Sequence, residues 1–275
     1  MLFADDANLY LGNTQLPQLF SELREGIGDL SKWFQHNKLS LSLEKTQYSI
    51  FHSTKKQIPE TYNILNINNI NIHRVKSVKY LGMMIDETLS WEEHITGLKQ
   101  ALRKQASSFK IIKNFIPDRC KKNLYHAYAY SKIQYGIEVY GSGKQGMTKQ
   151  VQVLQNRILK ILFNLDWLTP TKQLHKNLNL LLVTDILNVQ LSKFVHKFLH
   201  NKLPPPFDNY FKLNCETHNH NTRHNKHIHI EKTHSPQTTN VIGANIYNKI
   251  PEEIKMCATL KTFTRNLQKH IIANY

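Results

Sequence analysis

The chain has 275 residues, 40% of them hydrophobic, and a net charge of +16, so it can bury the core of one large domain or two smaller ones. This composition excludes a disordered polyelectrolyte, and the lack of any apolar run of about 18 residues excludes a membrane-spanning helix. Three widely spaced cysteines do not suit a secreted disulfide scaffold. They predict an intracellular protein, in either the nucleus or the cytoplasm. The first ten residues carry two acids where a signal peptide needs positive charge, so no signal peptide is expected.

The charge is unevenly distributed along the chain. Residues 1–95 contain 9 Lys/Arg and 11 Asp/Glu, whereas residues 96–275 contain 27 and 9. A positive field of this kind attracts a polyanion, and nucleic acid is the commonest one. The alternative is a basic, solvated surface that only keeps the protein soluble.

The first third of the chain predicts strands interleaved with one helix. Short apolar runs at 1–3 and 8–11 flank Asp5 and Asp6, a pattern that predicts strand, turn and strand. Apolar residues at steps of three and four over 16–34 predict an amphipathic helix. Further strands are expected at 47–51 and 78–85, and a hairpin over 64–72. Together these elements predict an α+β unit, whose sheet could include the strands beside the acidic pair.

From residue 90 onward the pattern is helical. Ser90 and Glu93 have the spacing of a capping box, and the helix that they open has apolar residues along one face as far as Ile112. Further helices are expected from Pro117 through Tyr135, after Gly146, over 184–200 and over 259–272. The polar, His-rich segment 214–240 is predicted to be a loop or linker.

Asp5 and Asp6 form the first candidate site. Adjacent carboxylates on a hairpin turn offer the oxygen ligands that divalent cations prefer, and two-metal phosphoryl transfer needs such ligands. Most Asp-Asp pairs are solvated turns, however, so the pair alone does not predict a metal site.

The surroundings of the pair resemble the reverse transcriptases of non-LTR, LINE-type retrotransposons, in particular the jockey-like ones. Phe3-Ala4-Asp5-Asp6 is similar to their [FY]-x-D-D signature, motif C. Trp33 with Asn37 to Thr46 resembles their motif D region, although Ser42 stands where many members have Asn. The third and fourth matches are Lys79-Tyr80-Leu81-Gly82, and Asp86 with Leu89-Ser90-Trp91 and His94-Ile95. Looser matches, Tyr135-Gly136 and Leu154-Gln155-Asn156 among them, extend the likeness over nearly all of the chain.

The resemblance implies an RNA-directed DNA polymerase that uses Mg²⁺, copies an RNA template and holds an RNA–DNA hybrid. Its fold would be α+β, a remnant of a reverse-transcriptase palm followed by an all-helical thumb and a C-terminal extension. Residues 1–88 would be the partial palm, with the motif C, D and E regions, and 89–203 the helical thumb and connection. Residues 204–275 would be a His-rich linker and the C-terminal extension.

The same resemblance assigns roles to individual residues. Asp5 and Asp6 would be the catalytic, Mg²⁺-binding carboxylates, with Asp5 the more direct ligand. Lys45 would be a general acid for the departing pyrophosphate, although a surface lysine that opens a strand fits the sequence equally well.

Nucleic-acid contacts are implied at two places. Tyr80, Leu81 and Gly82 would form the primer-grip hairpin, although a plain core strand is the favoured interpretation of Tyr80 and Leu81. Phosphate contacts from the thumb are expected of Arg103, Lys104, Lys110, Lys113, Lys121 and Lys122. For any one of these six, a solvated surface residue is the simpler interpretation.

One departure from the family matters more than the matches. The family's third metal-binding aspartate, its motif A, lies upstream of the acidic pair together with the fingers, and it has no counterpart here. The chain is therefore expected to be a C-terminal fragment that starts at the motif of Asp5 and Asp6 and is inactive alone. Two alternatives stay open: a basic nucleic-acid-binding helical module, and a decayed transposon relic without catalysis.

A cluster of histidines with one cysteine invites a zinc interpretation. Its members are Cys215, His218, His220, His224, His227, His229 and His234. A single cysteine and spacings that match no common structural zinc site favour a His-rich linker instead.

Overall fold

The computed structural model describes residues 2–3, 6–39, 42–67, 70–143, 146–217, 227–230 and 238–275. Its contacts divide the chain into two units, Met1–Leu89 and Ser90–Tyr275. In the described residues, the first unit combines small sheets with a helix and the second is almost entirely helical. This mixture agrees with the predicted α+β class, whereas the assignment to palm, thumb and C-terminal extension stays a prediction.

Three antiparallel hairpins and one long helix form the described part of the first unit. Each strand pairs only with its neighbour in sequence, so the three sheets have two strands each. The elements are β1 (Leu2–Phe3), β2 (Asp6–Ala7), α1 (Leu16–His36), β3 (Ile64–Ile67), β4 (Ile70–His73), β5 (Ser77–Tyr80) and β6 (Met83–Asp86).

The strand predicted at 47–51 is wrong. Tyr48 forms only an isolated bridge to Arg74, while its ring packs on Phe20 at 5.8 Å and its hydroxyl donates to the Tyr62 carbonyl at 2.7 Å. Side-chain contacts therefore fix this segment without a ladder of backbone hydrogen bonds.

The single strand predicted at 78–85 is also wrong, because a tight turn divides it. Leu81 and Gly82 take φ of +45° and +81°, and β5 and β6 pair from Ser77 with Asp86 to Tyr80 with Met83. Two central residues with positive φ are typical of the hairpin turn that suits the right-handed twist of strands. The hairpin predicted over 64–72 is present as β3 and β4.

A small core holds the first unit together. Phe20 of α1 is buried against Ile50, Leu65 and Ile72, and its ring lies 4.7 Å from that of Tyr62. The periodicity of α1 explains this packing, since its apolar residues recur on the face that carries Phe20. One helix thus covers the β3–β4 hairpin and the segment before it.

Eleven α-helices were found in the described part of the second unit, together with a π-helical turn at His126–Tyr130 and a 3₁₀ turn at Pro205–Phe207. They are α2 (Glu92–Ile112), α3 (Asp118–Tyr125), α4 (Ser131–Gln134), α5 (Ile137–Tyr140), α6 (Met147–Leu162), α7 (Thr171–Leu178), α8 (Val183–Leu199), α9 (Asn214–Thr217), α10 (Thr239–Asn248), α11 (Glu252–Lys255) and α12 (Leu260–Ala273). The predicted helices correspond to α2, to α3 through α4, and to α6, α8 and α12. The helices α5, α7, α9, α10 and α11 were not predicted from the sequence.

The capping box predicts Ser90 as the N-cap of α2, and this is wrong. The N-cap of α2 is Trp91, which takes φ of +64° and whose side chain makes no capping hydrogen bond. The helix therefore begins one residue later than the box requires, and the Ser90 hydroxyl accepts from the Glu92 N–H, at 3.4 Å. Trp91 is buried, so packing of the indole decides the start of the helix.

Helices α2 and α6 run side by side in the same direction. Lys99 Nζ donates to Gln150 Oε1 at 2.6 Å, and Lys113 Nζ donates to Asn164 Oδ1 at 2.7 Å. Both pairs join residues 51 apart, which requires parallel helices in constant register. Leu102, Phe109, Val151 and further apolar residues are fully or almost fully buried along this helix pair.

Helix α8 lies at the centre of the second unit and contacts α5, α6, α10 and α12. No single helix in the described part of the chain is long and apolar enough to cross a membrane. Helices α7 and α8 reach that length and hydropathy only together, and they are bent by 55° where they meet.

The segment predicted as a linker over 214–240 contains some structure. Helix α9 opens it, and Leu213 forms a bridge to Ile228. Residues 218–226 and 231–237 lie outside the described part of the chain.

Candidate nucleic-acid interface

Asp6 of the acidic pair lies in the first hairpin. Phe3 pairs with Asp6 and Leu2 with Ala7, so Asp6 opens β2. The strand predicted at 8–11 is wrong, because β2 is Asp6–Ala7 and residues 8–11 form no strand. Asp5 lies outside the described residues. Among the residues that the structure describes, no group of three or more His, Cys, Asp or Glu side chains could hold a metal ion. Carboxylates are the donor type that suits Mg²⁺, and the assignment of Asp5 and Asp6 as its ligands stays a prediction.

Lys45 ends a short 3₁₀ turn, Leu43–Lys45, that follows α1. Its side chain is exposed, and its backbone N–H donates to the Ser42 carbonyl at 3.2 Å. Thr46 fixes the same turn, because its hydroxyl donates to that carbonyl at 2.8 Å. The motif D match thus lies on a defined turn, and the proton-donor role of Lys45 stays a prediction.

The hairpin implied at Tyr80-Leu81-Gly82 is present. Tyr80 ends β5, and its half-buried ring meets Tyr10 edge-on at 6.4 Å. Gly82 is exposed and takes φ of +81°, a backbone conformation that L side chains rarely adopt. The hairpin turn therefore explains the glycine at position 82 without any contact to a primer.

Three of the six predicted phosphate-binding residues stand exposed on α2. They are Arg103, Lys104 and Lys110. Leu102, Ala106 and Phe109 mark the buried face of the helix, and the three cations lie around its remaining circumference. Their positions leave the charges accessible to an approaching polyanion.

The other three predicted cations are engaged within the protein. Lys113 donates to Asn164, as described above, and Lys121 forms an ion pair with Asp118 at 2.6 Å. Only 11% of the Lys121 side chain is exposed, so its charge is largely compensated where it lies. Lys122 Nζ donates to the Asn179 carbonyl at 3.4 Å.

Leu154-Gln155-Asn156, a looser family match, lies in a buried polar network that sequence reasoning did not foresee. Gln155 is fully buried and donates to the Tyr125 hydroxyl at 2.7 Å and to the Leu181 carbonyl at 2.9 Å. Gln152 Nε2 donates to Gln155 Oε1 at 2.7 Å and to Asn156 Oδ1 at 2.8 Å. The network joins three helical segments, so its role is structural.

His175 completes this network. Its Nε2 lies 2.9 Å from Asn156 Oδ1, and since an amide oxygen only accepts, the imidazole is the donor. Burial lowers the pKa of His175 to about 4, so the ring stays neutral near pH 7. Asn156 also donates to the Thr171 hydroxyl at 3.0 Å, which ties α6 to the start of α7.

The histidine cluster is described only in part, because His218, His220, His224 and His234 lie outside the described residues. His229 Nδ1 lies 3.1 Å from Asn214 Oδ1, and the Asn214 N–H donates to the His227 carbonyl at 2.9 Å. These contacts fasten the described part of the segment to α9. The interpretation as a His-rich linker stays a prediction.

Comparison with known proteins found relatives of a single class. The curated proteins that match are RNA-directed DNA polymerases of jockey-like, LINE-type non-LTR elements, and the chain is homologous to them. This confirms the resemblance found in the sequence motifs. No family model matches the chain, and no solved structure matches it.

Three relatives illustrate the kinship. The chain is 22% identical over 198 residues to the RNA-directed DNA polymerase from mobile element jockey of Drosophila melanogaster, a match that covers 71% of this chain. It is 24% identical over 204 residues to the probable RNA-directed DNA polymerase from transposon X-element of that organism, covering 70% of this chain. It is 22% identical over 195 residues to the corresponding probable polymerase from transposon BS, again covering 70%. Each match spans 21% of the relative's own length.

Proposed function

We propose that the chain is part of a non-LTR retrotransposon reverse transcriptase, in which the Ser90–Tyr275 unit holds the RNA–DNA hybrid through its phosphates. One observation carries this proposal, the division of charge between the two units. The Met1–Leu89 unit contains 9 Lys/Arg and 9 Asp/Glu, whereas the Ser90–Tyr275 unit contains 27 and 11. The whole net charge of +16 thus belongs to the helical unit.

Within that unit we assign the phosphate contacts to Arg103, Lys104 and Lys110. These side chains are exposed on one helix, whereas Lys113 and Lys121 already have partners within the protein. Contacts to phosphates carry no sequence information, and they release counterions from the nucleic acid. Binding should therefore be independent of sequence and strongly weakened by salt.

The test is binding of a fluorescent RNA–DNA hybrid to residues 1–275 across a salt series. Triple charge reversal R103E/K104E/K110E should weaken binding, and the slope of log K against log salt should fall by roughly 0.9 for each phosphate that the variant no longer neutralises. The matched control reverses three exposed cations of α12, K261E/R265E/K269E, which removes the same net charge. Equally weakened binding by both variants would assign binding to net charge alone. Failure of the unaltered chain to bind at low salt would refute the proposal.

For the chemistry, we propose that Asp5 and Asp6 are the Mg²⁺ ligands of the polymerase, and that residues 1–275 do not polymerise on their own. When bound, the metal would stabilise the charge that develops on the reacting phosphate oxygens. The support is the family resemblance, in which the pair works together with a third aspartate that has no counterpart in these 275 residues. Primer extension on an RNA template with Mg²⁺ tests this, with D5N/D6N as the control. Extension that the control abolishes would overturn the proposed inactivity.

A further inference from the structure

One end of the α2–α6 helix pair carries a concentration of exposed apolar side chains, here called the aromatic tip. It consists of Ile111, Ile112, Phe115, Leu165, Trp167 and Leu168. Phe115 is 85% exposed, Trp167 is 63% exposed and Leu168 is 89% exposed. Single exposed apolar residues are normal, but six at the adjoining ends of two helices are a feature that needs a reason.

The two turns lie together because the helices are parallel. Ile112 ends α2 and Leu162 ends α6, and the Lys113–Asn164 hydrogen bond joins the turns that follow them. Phe115 belongs to the first turn, where its N–H donates to the Ile112 carbonyl at 2.9 Å. The tip is therefore a defined end of the helix pair.

The turn that carries Trp167 is fixed by its own hydrogen bonds. Lys160 Nζ donates to the Trp167 carbonyl at 2.5 Å, and Asp166 Oδ1 accepts from the Leu168 N–H at 2.6 Å. The backbone of the turn is held while the indole remains exposed. An exposed aromatic ring on a fixed backbone loses little conformational entropy when a flat partner stacks on it.

The charges around the tip select the partner. Residues 110–122 contain five Lys/Arg and one Asp, and residues 157–172 contain three Lys/Arg and one Asp. The carboxylate of Asp118 is paired with Lys121, and that of Asp166 accepts from the Leu168 N–H within its own turn. A partner that fits must combine negative charge with flat apolar faces, and unpaired nucleotides do so.

We propose that the aromatic tip binds single-stranded nucleic acid, with Phe115 and Trp167 stacking on unpaired bases and the net positive charge of residues 110–122 and 157–172 attracting the phosphates. This inference rests on the proposed function, since it adds a second binding mode to the same unit. In a fully paired hybrid the bases are stacked on one another and inaccessible to the rings. The tip therefore distinguishes unpaired strands from the duplex that the cations of α2 hold.

The experiment uses residues 1–275 and three fluorescent probes, compared by anisotropy. The probes are a mixed-sequence DNA strand of about 12 nucleotides, a strand of equal length made of abasic sites, and a blunt RNA–DNA hybrid. The abasic strand keeps the phosphates but has no bases to stack. The variant is F115A/W167A, and the matched control is V153A/M256A, which shortens two side chains that are 66% and 83% exposed outside the tip.

We expect the unaltered chain to bind the base-containing strand more tightly than the abasic one. F115A/W167A should bind that strand about fivefold more weakly or worse, as expected when at least one base stack is removed, and should retain the affinity for the abasic strand and the hybrid. Equal affinity for both single strands, or equal behaviour of the two variants, would overturn the inference and leave hybrid binding intact. A dimer that only F115A/W167A dissociates would also overturn it, because the tip would then join two copies of the chain. Failure of the unaltered chain to bind the hybrid would refute the proposed function itself.

Discussion

Replacement of Gln155 by Leu should destabilise the Ser90–Tyr275 unit more than any exposed substitution of the same kind. Gln155 is fully buried, and its amide donates to the Tyr125 hydroxyl and the Leu181 carbonyl. Its carbonyl oxygen accepts from Gln152. Leucine has a similar volume and none of these groups, so the variant removes the hydrogen bonds without opening a large cavity.

The magnitude follows from the groups whose hydrogen-bond partner is removed. A buried polar group left without a hydrogen bond costs about 1–3 kcal/mol. The Leu181 carbonyl and the Gln152 amide are the groups most directly affected, and apolar packing of the leucine offsets part of their cost. We therefore expect the free energy of unfolding to fall by about 2–5 kcal/mol. For a unit of this size this corresponds to a fall in Tm of roughly 4–20 °C.

Thermal unfolding of the full chain, followed by circular dichroism at 222 nm, measures this change. Most described helices belong to the unit that contains Gln155, so the signal reports mainly on that unit. The control is Gln173→Leu on α7, an exposed residue whose amide reaches only Asn177, at 2.6 Å. That substitution should change the stability by less than about 0.5 kcal/mol. Equal Tm values for the two variants would refute the argument that the network holds the unit together.

Three further predictions concern stability. Gly82→Ala should lower the free energy of unfolding by about 1–2 kcal/mol, because the hairpin turn requires positive φ at this position. Gly28→Ala, on α1 with open space around it, should raise the free energy of unfolding by about 0.5–1 kcal/mol. Thermal melts of both variants check these opposite signs. The pKa of His175 is about 4 in the folded protein and lies near 6.5 in the unfolded chain, so the unfolded chain takes up the proton first. Stability should therefore fall by about 3 kcal/mol as the pH drops from 6.5 to 4, and denaturant titrations of His175→Gln should show a smaller pH dependence. Tyr275→Phe should lower the free energy of unfolding by about 1–2 kcal/mol, since the hydroxyl donates to Asp185 Oδ2 at 2.6 Å. Chemical denaturation of the variant and the unaltered chain measures this loss. An unchanged midpoint would contradict the role of this hydrogen bond.

Apolar periodicity predicted the long helices because their buried faces repeat over many turns. The helices α1, α2, α6, α8 and α12 all have this property, and their observed bounds lie close to the predicted ones. Helix α7 was missed because it is only eight residues long. Its end signals were present in the sequence, with Pro170 at the N-cap and Asn179 in the left-handed conformation at the C-cap.

The strands were predicted less well, since short strands depend on interactions that local sequence does not contain. Residues 47–51 have the composition of a strand. Contacts of Tyr48 hold the segment instead, since its hydroxyl donates to the Tyr62 carbonyl and its ring packs on Phe20. The hairpin at Leu81-Gly82 was obtained from the family resemblance, because the apolar run around it indicates an uninterrupted strand.

The buried network shows what limited prediction of the site. Gln155 lies four residues after Val151, so helical periodicity places it on the inward face of α6 although its side chain is polar. In the sequence, Leu154-Gln155-Asn156 stands out only through the family resemblance. The position of a polar residue on an apolar face was a signal of a buried hydrogen-bond partner, and the identity of that partner required the fold.

The six cations predicted to contact phosphates also show which information the sequence contains and which requires the fold. All six follow from composition and resemblance, and nothing in the sequence ranks them. The fold ranks them by what each already touches: Lys121 compensates Asp118, and Lys113 joins the ends of α2 and α6. A lysine that holds two helix ends together cannot turn to a phosphate without disturbing the register between the helices. Exposed Arg103, Lys104 and Lys110 bear no such constraint, and this difference is why the proposed hybrid contacts are assigned to them.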